Sequence, residues 1–433
     1  MNVTNSPGVC PVTGKSAELL TKISLVDPDI SAHPNAYYDA MREADPVHYD
    51  EKLHMYLVSR FEDIQTIQRD PITYSVKHGY EAQYSAGFFE EFKDILERDG
   101  GGYFPDAIMS DPPYHTRIRG LMDKAFTAHR VRELEPLITD IVVDVIGGLP
   151  ASGPVDIVKA FSVPITIRVI CAQLGVAQYN ADKIQRWSAA VTAQIGRMQD
   201  RDKMIENARE ICELQHFLIE HVKDRQEHPR EDMISDLVHA RIDGADEPTL
   251  TFKEVVSLVR ALMIAGNDTT ATAMTNLFYL LGTRPELAGL LGRSAGDDRA
   301  MSRFVEELLR VEPPVRGLSR MTTKEVELGG KILPAGAHLL LMYASANDQP
   351  EVFPCPRDFD MERSNLGRHV SFGGGPHKCI GLSLARMEIR VAAREVAKRL
   401  ANIKLEVSAE EIPYLKSVAT HTIEHLPVSY TKL

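Results

Sequence analysis

The stretch Phe372-Gly373-Gly374-Gly375-Pro376-His377-Lys378-Cys379-Ile380-Gly381 decides the fold, and it leads directly into a segment with helical character. A cysteine just before a helix faces unpaired backbone N–H groups and the positive end of the helix dipole, and both favour a thiolate. The glycines, Gly375 and Gly381 among them, let the backbone approach a flat cofactor where a Cβ would collide. Phe372 is placed to shield the sulfur from water. We therefore interpret Cys379 as a thiolate ligand.

Three other interpretations of this loop compete. A zinc site needs three or four ligands, and only His377 lies close to Cys379 in sequence, with no C-x-x-C pair in the chain. A phosphate-binding loop needs a glycine and lysine spacing that is absent here. A glycine-rich turn with a buried, inert cysteine stays open from this window alone.

The ten residues match F-G-x-G-x-H-x-C-x-G at every fixed position, and in this the chain resembles the cytochrome P450 family. The resemblance implies that Cys379 binds the iron of heme b as a thiolate and favours cleavage of the O–O bond of dioxygen. It also implies a mainly α fold with small β-sheets, in which heme lies between a long distal helix and the cysteine loop.

The distal helix is predicted to begin at Thr251. The residues Thr251 to Glu254 form a capping box, and a mostly apolar segment without proline follows to Leu281. Thirty helical residues would span about 45 Å. Polar residues inside the segment, such as Arg260 and Asp268, argue against a membrane span, so we expect a helix through a protein core.

The middle of this segment reads A-G-N-D-T-T from Ala265 to Thr270. A buried Asp-Thr-Thr costs stability unless its polar groups are satisfied, which suggests a function. The segment resembles the family's A-G-x-D-T-T motif, in which Ala265 and Gly266 would make room for dioxygen and Thr269 with Asp268 would order the water that delivers protons. The alternative is a threonine bonded to the carbonyl four residues earlier.

Two further groups of charged residues match the family. The resemblance implies that heme propionates are bound by His115 and Arg119, which share one helix face, and by Arg320 and His377. The pair Glu307 and Arg310, at i and i+3, is by its spacing a surface salt bridge. By resemblance it is instead a buried pair completed by Arg363.

Composition limits the partners and the location. The net charge of −12 argues against nucleic acid as a partner. No run of eighteen apolar residues occurs and the N-terminus has no signal-peptide pattern, so we expect a cytoplasmic protein without a membrane anchor. The five cysteines are scattered, which argues against a disulfide framework. The resemblance leads us to expect a monomer.

Two basic segments stand out in this acidic chain. Ser364 to Leu400 has seven Lys or Arg against two acidic residues, and Pro113 to Arg132 has five against one. Either these are solvated helix faces, or they form a docking surface for an acidic partner. The residues concerned are Arg117, Lys124, Arg130, Lys378, Arg386 and Arg390. The resemblance implies a ferredoxin-type iron–sulfur protein and its reductase, passing electrons from NAD(P)H.

The remaining organisation is predicted in outline. We expect a flexible tail over 1–20 and a single domain over 21–433, with strands near 48–60 followed by a helix ending at Asp70-Pro71. Residues 76–110 are either a long loop over an apolar pocket or a core helix with a Gly-rich exit. Residues 326–343 are predicted to form a pair of β-hairpins. Ala346 to Gln349 departs from the family's usual A-N-R-D, which puts a local hydrogen-bond network in doubt.

The resemblance places a substrate pocket between segments that are mostly apolar. Its predicted lining residues are Phe88, Leu262, Met263, Val315, Leu318 and Val418. An apolar site has little to compensate a desolvated carboxylate, so we expect a neutral hydrocarbon substrate, with terpenoids or steroids ahead of aromatics and fatty acids. Arg316 and His421 are the reservation, because either would meet a carboxylate if it pointed inward.

The expected reaction consumes R–H, O₂, two electrons and two protons and forms R–OH and water. Two other classes share part of the pattern. A heme-thiolate enzyme that uses peroxide or rearranges its substrate needs Cys379 but not the pair Asp268 and Thr269. A heme-based gas sensor would carry an output module, and the sequence has no recognisable one.

Overall fold

Helices form most of the chain in this computed structural model, which describes residues 13–83, 88–125, 128–151, 153–176, 179–196 and 200–433. In chain order the helices are α1 (Thr13–Leu20), α2 (Pro28–Ala32), α3 (Asn35–Ala44), α4 (Phe61–Arg69), α5 (Val76–Gln83), α6 (Phe89–Asp99), α7 (Tyr114–Ala125), α8 (Ala128–Glu133), α9 (Glu135–Gly148), α10 (Val163–Leu174), α11 (Ala181–Ile195), α12 (Arg201–Glu227), α13 (Met233–Val238), α14 (Phe252–Thr283), α15 (Glu286–Ser294), α16 (Asp298–Val311), α17 (Tyr343–Asn347) and α18 (Leu382–Arg399). A π-helical segment, Val158–Ser162, leads into α10. The predicted class, mainly α, is confirmed.

The strands form small sheets at the margins of the helical body. They are β1 (Val47–Asp50), β2 (Met55–Val58), β3 (Tyr74–Ser75), β4 (Val155–Asp156), β5 (Leu318–Thr322), β6 (Val326–Leu328), β7 (Lys331–Leu333), β8 (His338–Leu341), β9 (Leu400–Leu405) and β10 (Pro427–Lys432). The largest sheet has the order β1-β2-β8-β5-β3, in which β2 and β8 are parallel with Tyr56 opposite Leu339. A second sheet is β4-β10-β9, and β6 pairs with β7.

The long helix α14 begins where the sequence predicts. The Thr251 hydroxyl accepts from the Glu254 N–H at 3.3 Å, and the Glu254 carboxylate accepts from the Thr251 N–H at 2.7 Å. The helix runs two residues past Leu281, to Thr283. Its side chains are buried on most faces because α10, α11, α12 and α18 pack around it. A helix buried on all sides forms the centre of a core and carries no polar stripe.

Two predictions about local structure are wrong in part. Residues 76–110 contain α5 and α6 rather than a long loop, because Phe92, Ile95 and Leu96 share one face of α6 and pack against α12. The Gly-rich exit is observed, with positive φ at Gly101 and Gly102. The strand β8 is not part of a second hairpin but lies in the main sheet between β2 and β5.

The predicted N-terminal tail is not observed over residues 13–20. Residues 13–20 form α1, which packs on α3 and is bonded through the Ser16 hydroxyl to Glu43 at 2.8 Å. Residues 1–12 lie outside the described residues. The helix exists because its small hydrophobic face covers α3, and sequence pattern alone does not reveal such a partner.

Glu307, Arg310 and Arg363 meet inside the protein. Arg310 Nε donates to Glu307 Oε2 at 2.8 Å and Arg363 Nε donates to Glu307 Oε1 at 2.9 Å, and none of the three has appreciable exposure. The other guanidinium N–H groups donate to the carbonyls of Asn347, Pro354, Cys355, Pro356 and Asp358. One buried carboxylate therefore anchors two cations that also hold an irregular segment in place.

The departure from A-N-R-D does not remove the local network. Gln349 Oε1 accepts from the Phe61 N–H at 2.8 Å at the start of α4. Asn347 donates to the Ser371 hydroxyl at 2.8 Å and accepts from the Val370 N–H at 2.8 Å, just before the cysteine loop. These side chains therefore connect α17 to the loop that carries Cys379.

Candidate active site

The cysteine loop is held by its own backbone. The Cys379 N–H donates to Phe372 O at 3.0 Å, and the Gly373 N–H donates to Val370 O at 2.8 Å. A turn over Gly375–His377 lies between these bonds, and α18 begins three residues after Cys379. The sulfur is thus placed at a helix N-terminus by a short, closed loop, as the sequence indicates.

The glycines of the loop serve two different purposes. A Cβ on Gly374 would lie 2.4 Å from Gln68 Oε1, and one on Gly375 would lie 1.9 Å from Gln68 O, at the end of α4. Gly375 also has φ of 63°, in the left-handed region. A Cβ on Gly381 would meet nothing within 4 Å. Gly374 and Gly375 therefore have no room for a side chain because α4 lies against them. Gly381, in contrast, borders open space.

The Cys379 thiol does not ionise readily without a partner. Burial raises its pKa, and the opposing contributions of the Gly381 N–H, Arg119 and Arg386 do not reverse this. The Gly381 N–H favours the thiolate, as the position before a helix predicts, but desolvation has the larger effect on the pKa. A bound metal cation is what converts such a thiol into a thiolate.

Beside the loop, His115 and His377 stack with ring centroids 3.8 Å apart. His115 Nδ1 and His377 Nε2 are buried and have no hydrogen-bond partner among the described residues. Arg119 donates to Lys378 O at 2.6 Å, and the buried Arg320 donates to Ser319 O at 2.7 Å. Burial lowers the pKa of His377 to about 3, and His115 and Arg320 contribute to this shift. The structure thus brings four predicted anion-binding residues to one place, where buried N–H groups lack acceptors.

The middle of α14 borders unfilled space. Ala265 is exposed although most residues of its helix are buried, and Gly266 meets only Ile170 at 3.6 Å from the position of a Cβ. The Thr269 hydroxyl donates to Ala265 O at 2.7 Å, which is the back-bonded arrangement considered as the alternative above. In this conformation the Thr269 hydroxyl donates its proton within the helix, so its oxygen can still accept a hydrogen bond from another donor.

Asp268 lies on a different side of the helix. It is partly buried, its Oδ2 accepts from the Thr192 hydroxyl, and its Oδ1 accepts from Asn267 Nδ2 at 3.3 Å. Burial raises the pKa of this carboxyl to about 6, against the lowering effect of the Thr192 hydrogen bond. A partly buried acid that titrates near neutral pH is suited to proton exchange.

The contacts of Asn267 and Thr192 were not anticipated. Asn267 occupies the variable position of the A-G-x-D-T-T motif, and its polarity on an apolar helix was the available signal. Thr192 lies in a segment without a recognisable motif, and nothing in the sequence connects it to Asp268. Such contacts between distant helices depend on packing.

The predicted pocket residues divide into two groups. Phe88, Val315 and Leu318 are partly exposed and are free to line a cavity. Met263 has no exposed surface and Val418 almost none, because each fills a separate apolar cluster. Leu262 is also largely buried beside Met263. The structure therefore does not bear out a lining role for Met263 and Val418.

Arg316 and His421 are engaged by the backbone. Arg316 donates to Thr420 O at 3.0 Å and to Ser31 O at 2.9 Å, while its Nη1 has no partner in the described part of the chain. His421 Nε2 donates to Ala32 O at 3.1 Å, and its ring stacks on Tyr414 at 4.2 Å. Burial and Arg316 lower the pKa of His421 to about 3. Both residues thus connect the N-terminal helices to the turn near Thr420.

The basic segments are partly neutralised. Arg117 is ion-paired with Glu247 and Glu254, Arg386 with Glu306, and Arg390 with Glu135. The Lys124 ammonium donates to Arg241 O, and Lys378 is exposed beside Cys379. The side chain of Arg130 lies outside the described residues.

Two features of the described residues bear on the alternatives. In the described ranges no group of three or more His, Cys, Asp or Glu side chains is arranged to hold a metal ion, so the zinc interpretation finds no support there. Over those same ranges, no helix is long and apolar enough to span a membrane.

Comparison with known proteins agrees with the resemblance. The family model described as Cytochrome P450 matches residues 181–290 and 300–418. The chain is 32% identical to 6-deoxyerythronolide B hydroxylase of Saccharopolyspora erythraea over 352 residues, 81% of this chain and 83% of the relative. It is 30% identical to vitamin D(3) 25-hydroxylase of Pseudonocardia autotrophica over 408 residues, 92% and 94% of the two chains. The P450 heme domain of Tepidiphilus thermophilus superposes with a TM-score of 0.86 at 28% identity, covering 95% of this chain and 97% of that one.

Proposed function

Because this chain belongs to the cytochrome P450 family of monooxygenases, we propose that it hydroxylates a C–H bond of a neutral, largely hydrocarbon molecule of terpenoid or steroid size. The reaction would consume R–H, O₂, two electrons and two protons, and would release R–OH and water. The single observation that carries the proposal is the His115 and His377 pair beside Cys379, in which one buried nitrogen of each ring has no partner among the described residues.

Three features support heme as the cofactor. Cys379 is a partly exposed thiol at a helix N-terminus, which is a suitable axial ligand. His115, His377, Arg119 and Arg320 supply donors for the two propionates, whose negative charges would restore acceptors to the buried N–H groups. Ala265 and Gly381 border unfilled space. Heme, when bound there, supplies the activation of dioxygen and the cleavage of its O–O bond.

The residues of α14 are assigned the delivery of protons. Asp268 is partly buried and exchanges a proton near neutral pH, so it is the candidate for the group that passes protons inward. The Thr269 oxygen accepts a hydrogen bond from a water while its own proton stays on Ala265 O. A bulky apolar substrate would exclude other water from the site, so that protons arrive only through this ordered path.

The substrate class rests on the partly exposed Phe88, Val315 and Leu318 and on the relatives. Two relatives are named as a 6-deoxyerythronolide B hydroxylase and a vitamin D(3) 25-hydroxylase. Burial of apolar surface contributes about 25 cal/mol per Å², so a polycyclic skeleton gains more than a small aromatic. Arg316 and His421, the two candidates for a carboxylate partner, both donate to backbone carbonyls, although Arg316 Nη1 has no partner among the described residues.

The substrate proposal is tested by titrating the heme protein with neutral terpenoids, steroids and alkylbenzenes and with matching carboxylic acids. We expect saturable low-spin to high-spin shifts with the neutral polycyclic compounds. The same titrations with Arg316→Gln serve as the control for an acid-binding role. Saturable shifts from the acids alone, abolished by Arg316→Gln, would overturn the proposed substrate class.

We further propose that the protein works as a cytoplasmic monomer and receives electrons from NAD(P)H through a reductase and an acidic ferredoxin. Lys378 is the exposed cation next to Cys379, whereas Arg117, Arg386 and Arg390 are already ion-paired. Lys378→Glu is therefore expected to slow reduction by the ferredoxin and to weaken its salt dependence. Lys404→Glu, an equal charge change on β9, is the control. Equal rates for the two variants would contradict docking at Lys378.

A further inference from the structure

Two consecutive polar residues of α14 are bonded to neighbouring helices. Asn267 Oδ1 accepts from the Thr166 hydroxyl of α10 at 2.6 Å, and Asn267 Nδ2 donates to the Ser188 hydroxyl of α11 at 2.9 Å. Asp268 Oδ2 accepts from the Thr192 hydroxyl, also on α11. The acid assigned to proton delivery is thus part of a hydroxyl and amide cluster between three helices.

The spacing of these contacts couples α11 to the acid. Ser188 and Thr192 are four residues apart and therefore lie on one face of α11. Their partners, Asn267 and Asp268, are adjacent on α14 and are linked to each other at 3.3 Å. A shift of α11 along α14 would break both contacts together, so the position of α11 determines which hydrogen bonds the Asp268 carboxyl has.

The groups that face Asp268 are neutral. They are the Thr192 hydroxyl of α11 and the Asn267 amide of its own helix, with Thr166 of α10 and Ser188 of α11 one bond further away. No charged side chain of the described residues contributes to the pKa of Asp268, which burial raises to about 6. The carboxyl therefore changes charge without an ion pair to break.

A hydroxyl partner suits both charge states of a carboxyl. It donates its proton to a carboxylate, and it accepts a hydrogen bond from a carboxylic acid. An arginine or lysine at the same place would bond only the carboxylate and would keep it ionised. The Thr192 contact therefore holds the carboxyl in position without fixing its charge.

We propose that Thr192 is the positioning residue of the Asp268 carboxyl, and that α11 orients this acid for proton delivery through the Thr192 hydroxyl. The proposal rests on the role assigned above to Asp268. In each cycle the Asp268 carboxylic acid passes its proton to the water held at Thr269, and the carboxylate regains a proton from solvent. Thr192 keeps its own proton throughout, donating when Asp268 is ionised and accepting when it is neutral.

The test uses the heme protein and three variants. Thr192→Val removes the hydroxyl at nearly constant shape, Thr192→Ser restores it, and Thr166→Val removes a hydroxyl from the same cluster that bonds Asn267 and not Asp268. The titration midpoint of Asp268 is read from its carboxyl C=O band in infrared difference spectra, identified by its loss in Asp268→Asn. The pH dependence of product formation is measured in parallel.

We expect Thr192→Val to move the infrared midpoint upward by up to about one pH unit, because the carboxylate loses its donor. The turnover profile should move with it, Thr192→Ser should return both to the wild-type values, and Thr166→Val should leave both in place. An unchanged infrared midpoint in Thr192→Val, or an equal shift in Thr166→Val, overturns the proposal. An infrared shift with no change in the turnover profile overturns the positioning role together with the relay assigned to Asp268.

Discussion

The ring centroids of His115 and His377 lie 3.8 Å apart, and this contact joins α7 to the cysteine loop. In the described part of the chain, one buried nitrogen of each ring has no hydrogen-bond partner. Two such rings side by side are costly unless an anion uses their N–H groups, because burial disfavours the charged form of each. In the proposed heme site, the propionates would supply the missing hydrogen-bond partners of this pair.

His377→Phe should release heme faster. The change keeps a ring of similar size but removes a hydrogen-bond donor to an anion, and such bonds contribute about 1.5–3 kcal/mol, which corresponds to roughly a tenfold to hundredfold loss of heme affinity. Heme transfer to an excess of apomyoglobin measures this. His228→Phe, at an exposed position directly after α12, is the control. Equal transfer rates for the two variants would contradict a propionate contact at His377.

Cys379→His should change the spectrum of the reduced carbon monoxide complex. The absorption maximum should move from the position typical of thiolate-ligated heme to the shorter wavelength typical of histidine ligation, because the axial ligand determines it. Cys355→His, at an exposed cysteine, should leave the spectrum as it is in the wild type. The assignment of Cys379 as ligand fails if the two variants have the same spectrum.

Thr269→Ala should continue to consume NAD(P)H but form less product and more hydrogen peroxide. Reduction does not need the hydroxyl, whereas proton delivery does. Thr283→Ala is a matched control on the same helix, because the Thr283 hydroxyl also donates to the carbonyl four residues earlier, at 2.8 Å. The measured quantity is product formed per NAD(P)H. An equal ratio in the two variants would mean that the Thr269 hydroxyl has no part in proton delivery.

Glu307→Gln should destabilise the fold strongly. The change leaves Arg310 and Arg363 buried without their carboxylate, and breaking a buried ion pair costs about 3–5 kcal/mol. Glu18→Gln breaks an exposed pair with Lys22 and should cost less than about 1 kcal/mol. Chemical denaturation followed by circular dichroism compares the two. Similar midpoints would show that the buried triad does not stabilise the fold.

The stability of Asp268→Asn relative to that of the wild type should increase as the pH rises. Burial holds the folded-state pKa of Asp268 at about 6, above the ordinary value of 3.8 in the unfolded chain, so the folded state binds the proton more tightly. Wild-type stability therefore falls between pH 4 and pH 6, by roughly 3 kcal/mol in total, and Asn does not titrate.

The measurement is the free energy of unfolding of both proteins from pH 4 to pH 7. Thr166→Val changes the same buried cluster without removing a titrating group, so its difference from the wild type should be constant with pH. A constant difference for Asp268→Asn would mean that burial does not raise the pKa of this carboxyl.

Local sequence was sufficient to predict the elements whose determinants lie close together in the chain. The capping box at Thr251 and the apolar run after it define the start of α14, and the spacing of glycines and Cys379 defines a loop before α18. Each depends on hydrogen bonds between residues a few positions apart. The positions of Glu307 and Arg310 on one helix face were predictable for the same reason.

The interactions between distant elements were decided by the tertiary structure. Gln68 leaves no room for a side chain at Gly375, the Thr192 hydroxyl contacts Asp268, and Met263 fills the core instead of a pocket. The pKa of the Cys379 thiol likewise follows from burial that no local pattern reveals. Short-range hydrogen bonding is encoded in spacing along the chain, but desolvation and contacts between helices exist only once the helices have packed.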